Sequence, residues 1–197
     1  MKPCPDLVSA TVTSPIGPII FEVCPNGLHL LKLSSEVTNE NFLELASEEI
    51  ELIEDKQRKS KCQDPIGPKV LSWLHNYFIL GRETEVKICP EVVNGKNDFR
   101  QKVLLVLKNQ VKFGETISYG DLARLSGNPK AAQAVGSAVS NNPISFVIPC
   151  HRVIKSDGSA GNYSKGTKNG VKEWLLDFES PTKDQSKTED SSESEED

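Results

Sequence analysis

Short runs of β-branched and apolar residues near the start of the chain are separated by residues typical of turns. The runs cover residues 7–13, 18–23 and 28–33. Residues 14–17 separate the first two runs and residues 25–27 separate the last two, and both connections contain Pro and Gly, which favour chain reversal. This pattern predicts a β-meander.

Two longer stretches repeat apolar residues at helical spacing. Residues 66–78 form the first helix. Residues 99–111 form the second, with Asp98 as its N-cap. Two weaker patterns predict a short acidic helix at 39–51 and a further strand at 85–89.

The next stretch has the pattern of a helix-turn-helix. Ser118 and Asp121 resemble a capping box that opens a short helix. A turn at residues 127–129 follows, and Asn128 is expected to cap a second helix over residues 130–140. Small residues dominate this second helix, so it lacks the side chains that read base edges in a major groove. It is suited to a contact through shape and backbone on the minor-groove side of DNA, and an Ala-rich helix inside an ordinary bundle is the alternative.

A last helix over residues 171–179 completes the predicted elements. The fold class expected from them is α+β. Residues 1–92 are expected to form an N-terminal domain with a small antiparallel sheet and a helix. Residues 93–179 are expected to form a mostly helical C-terminal domain with the helix-turn-helix, and residues 180–197 a disordered acidic tail.

Charge and cysteine content limit the function classes. The 197 residues carry a formal net charge of −5. The tail has two lysines against seven acidic residues, so residues 1–179 are formally neutral and do not form a general polyanion binder. No secretory signal or membrane span is evident, and the five cysteines are an odd number. A reducing intracellular compartment is expected, with cysteines as thiols or metal ligands.

The candidate nucleophile is Cys150, which lies between Pro149 and His151 in an apolar run. A thiol reacts well only when its pKa is lowered or a base removes its proton. Adjacent side chains tend to diverge, so His151 does not reach Cys150 easily through its own ring. An inert, buried thiol is therefore the alternative interpretation.

Four motifs occur in one chain, namely ISY at 117–119, GNPKAA at 127–132, PCHRV at 149–153 and GNYS at 161–164. Together they resemble the O6-alkylguanine-DNA alkyltransferases, also called methylated-DNA–protein-cysteine methyltransferases, of the animal type. The resemblance is dense over residues 99–179.

The resemblance implies direct-reversal DNA repair. Members irreversibly transfer an alkyl group from O6 of guanine, and also from O4 of thymine, to a cysteine in a single turnover, with the base flipped out of the duplex. Cys150 is then the acceptor, His151 the base acting through a water, and Glu179 the residue that orients His151. Tyr119 matches the hydrogen-bond donor to the leaving base. The resemblance further implies a monomer on double-stranded DNA without sequence preference, a nuclear location and no organic cofactor.

Further residues follow from the same resemblance. The positions that match its DNA-contacting residues are Arg100, Tyr119, Gly120, Asn128, Gln133 and Ser156. The positions that match its substrate pocket are Asn142, Val153, Tyr163 and Ser164. One departure is Gln133, because the family usually has an arginine there that inserts where the flipped base was.

Zinc is also implied, since animal members bind it through two Cys and two His of the N-terminal part. Cys24 and His29 match two of those positions, and Cys4 is the third candidate. The second His is not matched, but Cys89 lies one residue away and is an adequate ligand. Four unrelated thiol and imidazole groups are the alternative.

Two other functions use parts of this pattern. A lesion sensor without chemistry would keep the helix-turn-helix and the pocket but would not need Cys150. A thiol hydrolase or redox enzyme would use Cys150 and His151 but would have no use for residues 118–140.

Overall fold

The computed structural model describes residues 7–55, 66–93 and 98–180. Its first feature is an antiparallel sheet in the order β3-β2-β1-β4. The strands are β1 (Val8–Val12), β2 (Ile19–Cys24), β3 (Gly27–Leu33) and β4 (Leu52–Asp55). The predicted meander is confirmed.

The acidic helix predicted over residues 39–51 is wrong. Residues 39–45 form turns instead, and β4 follows and pairs with β1. The backbone N–H of Thr13 donates to the carbonyl of Glu51 at 2.8 Å, and the Thr13 hydroxyl donates to the carbonyl of Glu49 at 2.6 Å. These long-range bonds satisfy backbone groups that a local helix would have paired.

The first predicted helix is confirmed as α1 (Gly67–Phe78), which buries Trp73, Leu74 and Tyr77. A short helix, α2 (Pro90–Val93), follows. The strand predicted at residues 85–89 is wrong, because this segment makes only an isolated parallel bridge between Ile88 and Leu28.

The helical part begins with α3 (Phe99–Gln110), and the Asp98 side chain accepts from the backbone N–H of Arg100 as predicted. A two-residue strand, β5 (Ile117–Ser118), leads into α4 (Tyr119–Leu125). The Ser118 hydroxyl accepts from the backbone N–H of Asp121 at 3.0 Å, so the predicted cap is confirmed.

The second helix of the pair is α5 (Ala132–Ser140), which begins later than expected. Its N-cap residue is Ala131, so the predicted capping by Asn128 is wrong. The backbone carbonyl of Asn128 instead accepts from the N–H of Ala131 at 3.0 Å, in a turn that precedes the helix.

The chain then forms a single 3-10 turn at Cys150–Arg152 and the strand β6 (Val153–Ile154), which pairs in parallel with β5. A second 3-10 turn, Ser164–Gly166, precedes α6 (Asn169–Phe178). Glu179 is the C-cap of α6.

The sheet contacts the segment before Cys150 directly. In β3, Leu31 donates its backbone N–H to Pro143 at 3.0 Å, and its carbonyl accepts from the N–H of Ser145 at 2.7 Å. Buried apolar residues from both parts of the chain form one core. The α+β fold class is confirmed, and the domain boundary after residue 92 stays a prediction.

Among the described residues, no helix combines the length and the apolar character needed to cross a membrane. The described residues do not include Cys4 or residues 181–197 of the predicted tail. They also do not include residues 56–61, a basic cluster with the sequence KQRKSK.

Candidate active site

Cys150 opens a tight turn and is only 6% exposed. Its backbone N–H donates to the carbonyl of Ile148 at 2.8 Å. The Asn142 side chain donates to the same carbonyl at 2.7 Å and accepts from the N–H of Ile144 at 3.0 Å. These hydrogen bonds of Asn142 fix the path of the backbone that leads to Cys150.

A cavity of about 680 Å³ opens in front of Cys150. The predicted residues that line it are Cys150, Tyr119, Asn142, Tyr163, Ser164 and Arg100. Three exposed lysines, Lys32, Lys155 and Lys165, also line it, together with the buried Lys168. The structure thus brings most of the predicted substrate residues to one cavity with a basic rim.

Val153 is the exception among the predicted pocket residues. It is fully buried and is not among the residues that line the cavity. Its carbonyl accepts from the Lys172 ammonium at 2.7 Å.

His151, which follows Cys150 in the chain, forms a buried pair with Glu179. His151 Nε2 lies 2.8 Å from Glu179 Oε1. A carboxylate accepts, so Nε2 carries the proton and Nδ1 keeps its lone pair. Nδ1 has no hydrogen-bond partner among the described residues, although it is buried. This is the protonation pattern that a base at Nδ1 requires.

Glu179 is also bound by Arg152, which is 1% exposed. Arg152 donates from Nε to Oε2 at 2.7 Å and from Nη2 to Oε1 at 2.9 Å. The same guanidinium donates to the carbonyl of Val111 at 2.9 Å and to the Glu83 carboxylate at 2.8 Å. Two parallel bonds fix the plane of the Glu179 carboxylate.

These contacts set the charge state of the pair. Burial raises the pKa of Glu179, but its hydrogen bonds from His151 and Arg152 outweigh burial and hold the pKa at about 2. Burial lowers the pKa of His151, and Glu179 only partly offsets this effect. At neutral pH the pair is therefore a neutral imidazole beside a carboxylate.

Two tyrosines face the thiol from the cavity side. Cys150 Sγ lies 3.9 Å from the Tyr163 hydroxyl. Burial, followed by the nearby Cys150, raises the pKa of Tyr163 well above 10.0. The same causes raise the pKa of Tyr119. Both hydroxyls therefore stay protonated and available as donors.

The sequence reasoning missed three buried polar residues at this site. Lys172 is 1% exposed, and burial lowers its pKa to about 8, while the nearby Cys150 opposes that shift. Arg152 lies in the PCHRV motif, but no role was predicted for it. Tyr77 donates its hydroxyl hydrogen to Glu179 Oε1, and its place on the apolar face of α1 gave no polar signal.

Of the residues predicted to contact DNA, Arg100 and Tyr119 line the cavity. Arg100, Gly120, Asn128, Gln133 and Ser156 are all exposed. Arg100 Nη2 donates to the carbonyl of Asn141, directly after α5, at 2.5 Å.

The predicted metal ligands that the structure describes also meet. The donor atoms of Cys24, His29 and Cys89 all lie within 4.8 Å of one another. The two sulfurs are 3.8 Å apart, and His29 Nε2 is 3.1 Å from Cys24 Sγ. Gly27 makes this approach possible, because a Cβ there would lie 2.5 Å from the backbone nitrogen of Cys89.

Comparisons with known proteins agree with these features. A family model described as 6-O-methylguanine DNA methyltransferase, DNA binding domain, matches residues 98–181. The methylated-DNA–protein-cysteine methyltransferase of Rattus norvegicus is 40% identical over 178 residues, covering 84% of this chain and 78% of that protein. The Homo sapiens protein of the same name is 39% identical over 185 residues, covering 90% and 82%.

The fold comparison points the same way. The crystal structure of Mycobacterium tuberculosis OGT in complex with DNA matches with a TM-score of 0.63 and 30% identity. The match covers 87% of this chain and 91% of that one.

Proposed function

This chain belongs to the methylated-DNA–protein-cysteine methyltransferases, and we propose that Cys150 is the cysteine that accepts the alkyl group. The chain repairs DNA by direct reversal, moving an alkyl group from O6 of guanine to itself. The observation that carries the assignment is the buried His151–Glu179 pair beside Cys150, with Nδ1 unpartnered among the described residues. The product thioether is stable, so each molecule reacts once.

The transfer is a displacement at the alkyl carbon. The Cys150 thiolate forms the new sulfur–carbon bond while the bond from that carbon to guanine O6 breaks, and its electrons remain on the base. His151 takes the thiol proton at Nδ1 through a bridging water, which solves the problem that neighbouring side chains diverge. Glu179 holds the imidazole in the required tautomer and stabilises the imidazolium that forms.

The leaving guanine needs hydrogen bonds as negative charge develops on it. Tyr119 lines the cavity with its hydroxyl protonated, and we assign it as this donor. Ser164 supplies a backbone contact to O6, and Tyr163 forms a wall of the base pocket. Support for Ser164 comes from its position on the cavity, in a left-handed conformation with φ of 47°.

Mass spectrometry tests this function. A duplex that contains O6-methylguanine is incubated with the protein, and one methyl adduct on Cys150 is expected. Cys62→Ser, which changes neither Cys150 nor a proposed metal ligand, is the matched control and keeps the adduct on Cys150. Turnover without an adduct would support the hydrolase instead, and binding without an adduct would support the sensor.

DNA binding is expected to be sequence-nonspecific and on the minor-groove side. Support comes from α5, whose exposed positions include the small residues Ala134 and Ser137 and offer Gln133 as the one side chain that typically pairs with a base edge. The target base is flipped into the cavity, and Gln133 takes its place in the stack. Competition between duplexes of unrelated sequence, and between major-groove and minor-groove ligands, tests both points.

The protein is further proposed to act as a monomer in the nucleus. A monomer presents one α5 and one cavity to the duplex, and sedimentation of the protein–DNA complex tests the stoichiometry. The candidate import signal is the basic cluster at residues 56–61. Replacing its four basic residues with alanine in a fluorescent fusion, and observing the nuclear fraction, tests that location.

A structural zinc ion is proposed at Cys24, His29 and Cys89, with Cys4 as the fourth ligand. Support comes from the three donor atoms within 4.8 Å of one another. The backbone N–H of Asn26 also points at Cys24 Sγ at 3.2 Å, which suits a thiolate. Bound zinc would cross-link the β2–β3 turn to the segment before α2.

Metal analysis after zinc reconstitution tests this site. About one equivalent is expected for the unmodified protein, with loss in Cys89→Ala. Cys62→Ala, outside the proposed ligand set, should keep the metal. Negligible zinc in the unmodified protein would contradict the site.

A further inference from the structure

Tyr77 connects the N-terminal part of the chain to the reacting groups. It lies in α1, is fully buried, and its hydroxyl donates to Glu179 Oε1. The hydroxyl oxygen also lies 3.5 Å from His151 Nε2, close to the N–H that faces the same carboxylate. The Tyr77 side chain thus contacts both His151 and Glu179 from the N-terminal part of the chain.

The position of this hydroxyl is itself held firmly. The Tyr77 ring stacks on Trp73 at 5.1 Å and meets Phe78 and Phe113 edge-on. Trp73 is anchored by a hydrogen bond from its Nε1 to the carbonyl of Thr84 at 2.8 Å. These ring contacts restrict the rotation of the Tyr77 side chain, so its hydroxyl is preorganised toward Glu179.

The Tyr77 hydroxyl is one of several donors that bind the Glu179 carboxylate. Oε1 receives bonds from Tyr77, His151 and Arg152, while Oε2 receives the Nε bond of Arg152. The carboxylate cannot turn toward another partner without breaking several charge-assisted bonds. Only His151 Nδ1 is left without a partner among the described atoms of this network.

We infer that Tyr77 is a positioning residue of the alkyl-transfer site. Its hydroxyl holds the Glu179 carboxylate so that His151 keeps its proton on Nε2 and presents Nδ1 as the base. This inference rests on the proposed function of Cys150 and His151, and it makes a residue of α1 part of the reaction machinery.

Removing the hydroxyl changes the basicity of the pair in a defined direction. A carboxylate that loses a donor becomes a stronger partner for imidazolium, so the pKa of His151 rises. The base is then protonated over a wider acidic range, and the transfer rate falls there. The titratable and charged groups around His151 that set this balance are Tyr77, Cys150, Arg152, Lys172, Glu179 and, through Arg152, Glu83.

The test is the pH profile of single-turnover alkyl transfer in Tyr77→Phe. The acid limb should move up by roughly one pH unit, so the rate at a pH on that limb should fall roughly tenfold, while the rate well above it should change little. DNA affinity should stay unchanged, because Tyr77 is buried away from the surface. Asn76→Ala, which removes exposed side-chain hydrogen bonds to Ser72 and Arg82 and leaves the Glu179 network intact, should keep the profile of the unmodified protein.

A second pair of measurements keeps the inference falsifiable if Tyr77→Phe folds poorly. Replacing Tyr77 with 3-fluorotyrosine strengthens the donor, so the acid limb should move to lower pH. Nitrogen NMR of the unmodified protein should find the proton of His151 on Nε2. A Cys150 adduct that forms with an unchanged acid limb in both variants, or a proton on Nδ1, overturns the inference, whereas no adduct in the unmodified protein overturns the proposed function.

Discussion

Gln133 is the residue at which this chain differs most clearly from the pattern it resembles. It is exposed on α5, where the family usually has arginine. A neutral side chain hydrogen-bonds to an orphan base but gives no attraction to phosphates.

Gln133→Arg is therefore expected to bind duplex DNA several-fold more tightly and to react faster at low salt. Single-turnover rates and affinities at two salt concentrations measure this. Gln133→Ala is the matched loss of the side chain and should be slower than the unmodified protein. Equal rates and affinities for the glutamine and arginine forms would contradict the role assigned to this position.

Glu179 gives a prediction for stability against pH. Its pKa of about 2 in the folded protein lies below the ordinary value of 4.5. The ionised Glu179 carboxylate contributes roughly 3 kcal/mol to the free energy of unfolding. This contribution is present above pH 4.5 and is lost as the pH falls from 4.5 toward 2.

Glu179→Gln should remove most of that pH dependence and lower stability at neutral pH, because Arg152 loses its partner. Urea unfolding at a series of pH values measures both effects. Glu173→Gln changes an exposed acid on the same helix and should preserve the slope. If the free energy of unfolding of Glu179→Gln falls with pH as steeply as that of the unmodified protein, Glu179 is not the cause of the acid lability.

At the scale of elements, the caps of the helix-turn-helix are the best local test. The Ser118 hydroxyl accepts from the N–H of Asp121 and donates to its carboxylate at 2.8 Å. Ser118→Ala should lower the free energy of unfolding by about 1 kcal/mol. Ser137→Ala, an exposed serine inside α5, should be neutral or slightly stabilising, and a similar loss in both variants would contradict a specific capping effect.

The elements that could be predicted are those whose signal is local. Examples are the caps at Asp98 and Ser118 and the apolar face of α1, which each depend on residues only a few positions apart in the sequence. Strand β4 was missed because its partner β1 lies far away in the sequence, with Val12 paired to Leu52. Tyr77 was missed for the same reason, since its partner Glu179 lies 102 residues away.

At the scale of the whole molecule, charge is distributed unequally. The rim of the cavity is basic, while residues 180–197 carry the whole net charge of −5. The acidic segment should oppose association with DNA.

Truncation after Glu179 should raise DNA affinity a few-fold at low salt, and the difference should vanish at high salt. Affinity measured across a salt series tests this. A full-length variant with the acids of residues 180–197 changed to amides should behave like the truncated chain. Tight binding in the truncated chain alone would assign the effect to length rather than charge.

The order of the active groups along the chain has a consequence for biosynthesis. Cys150 and His151 leave the ribosome before Glu179, which is the last member of the network to be made. Until α6 is complete, the imidazole has no carboxylate to fix its tautomer. Cys150 therefore gains its oriented base only after α6 has been synthesised and has packed against His151.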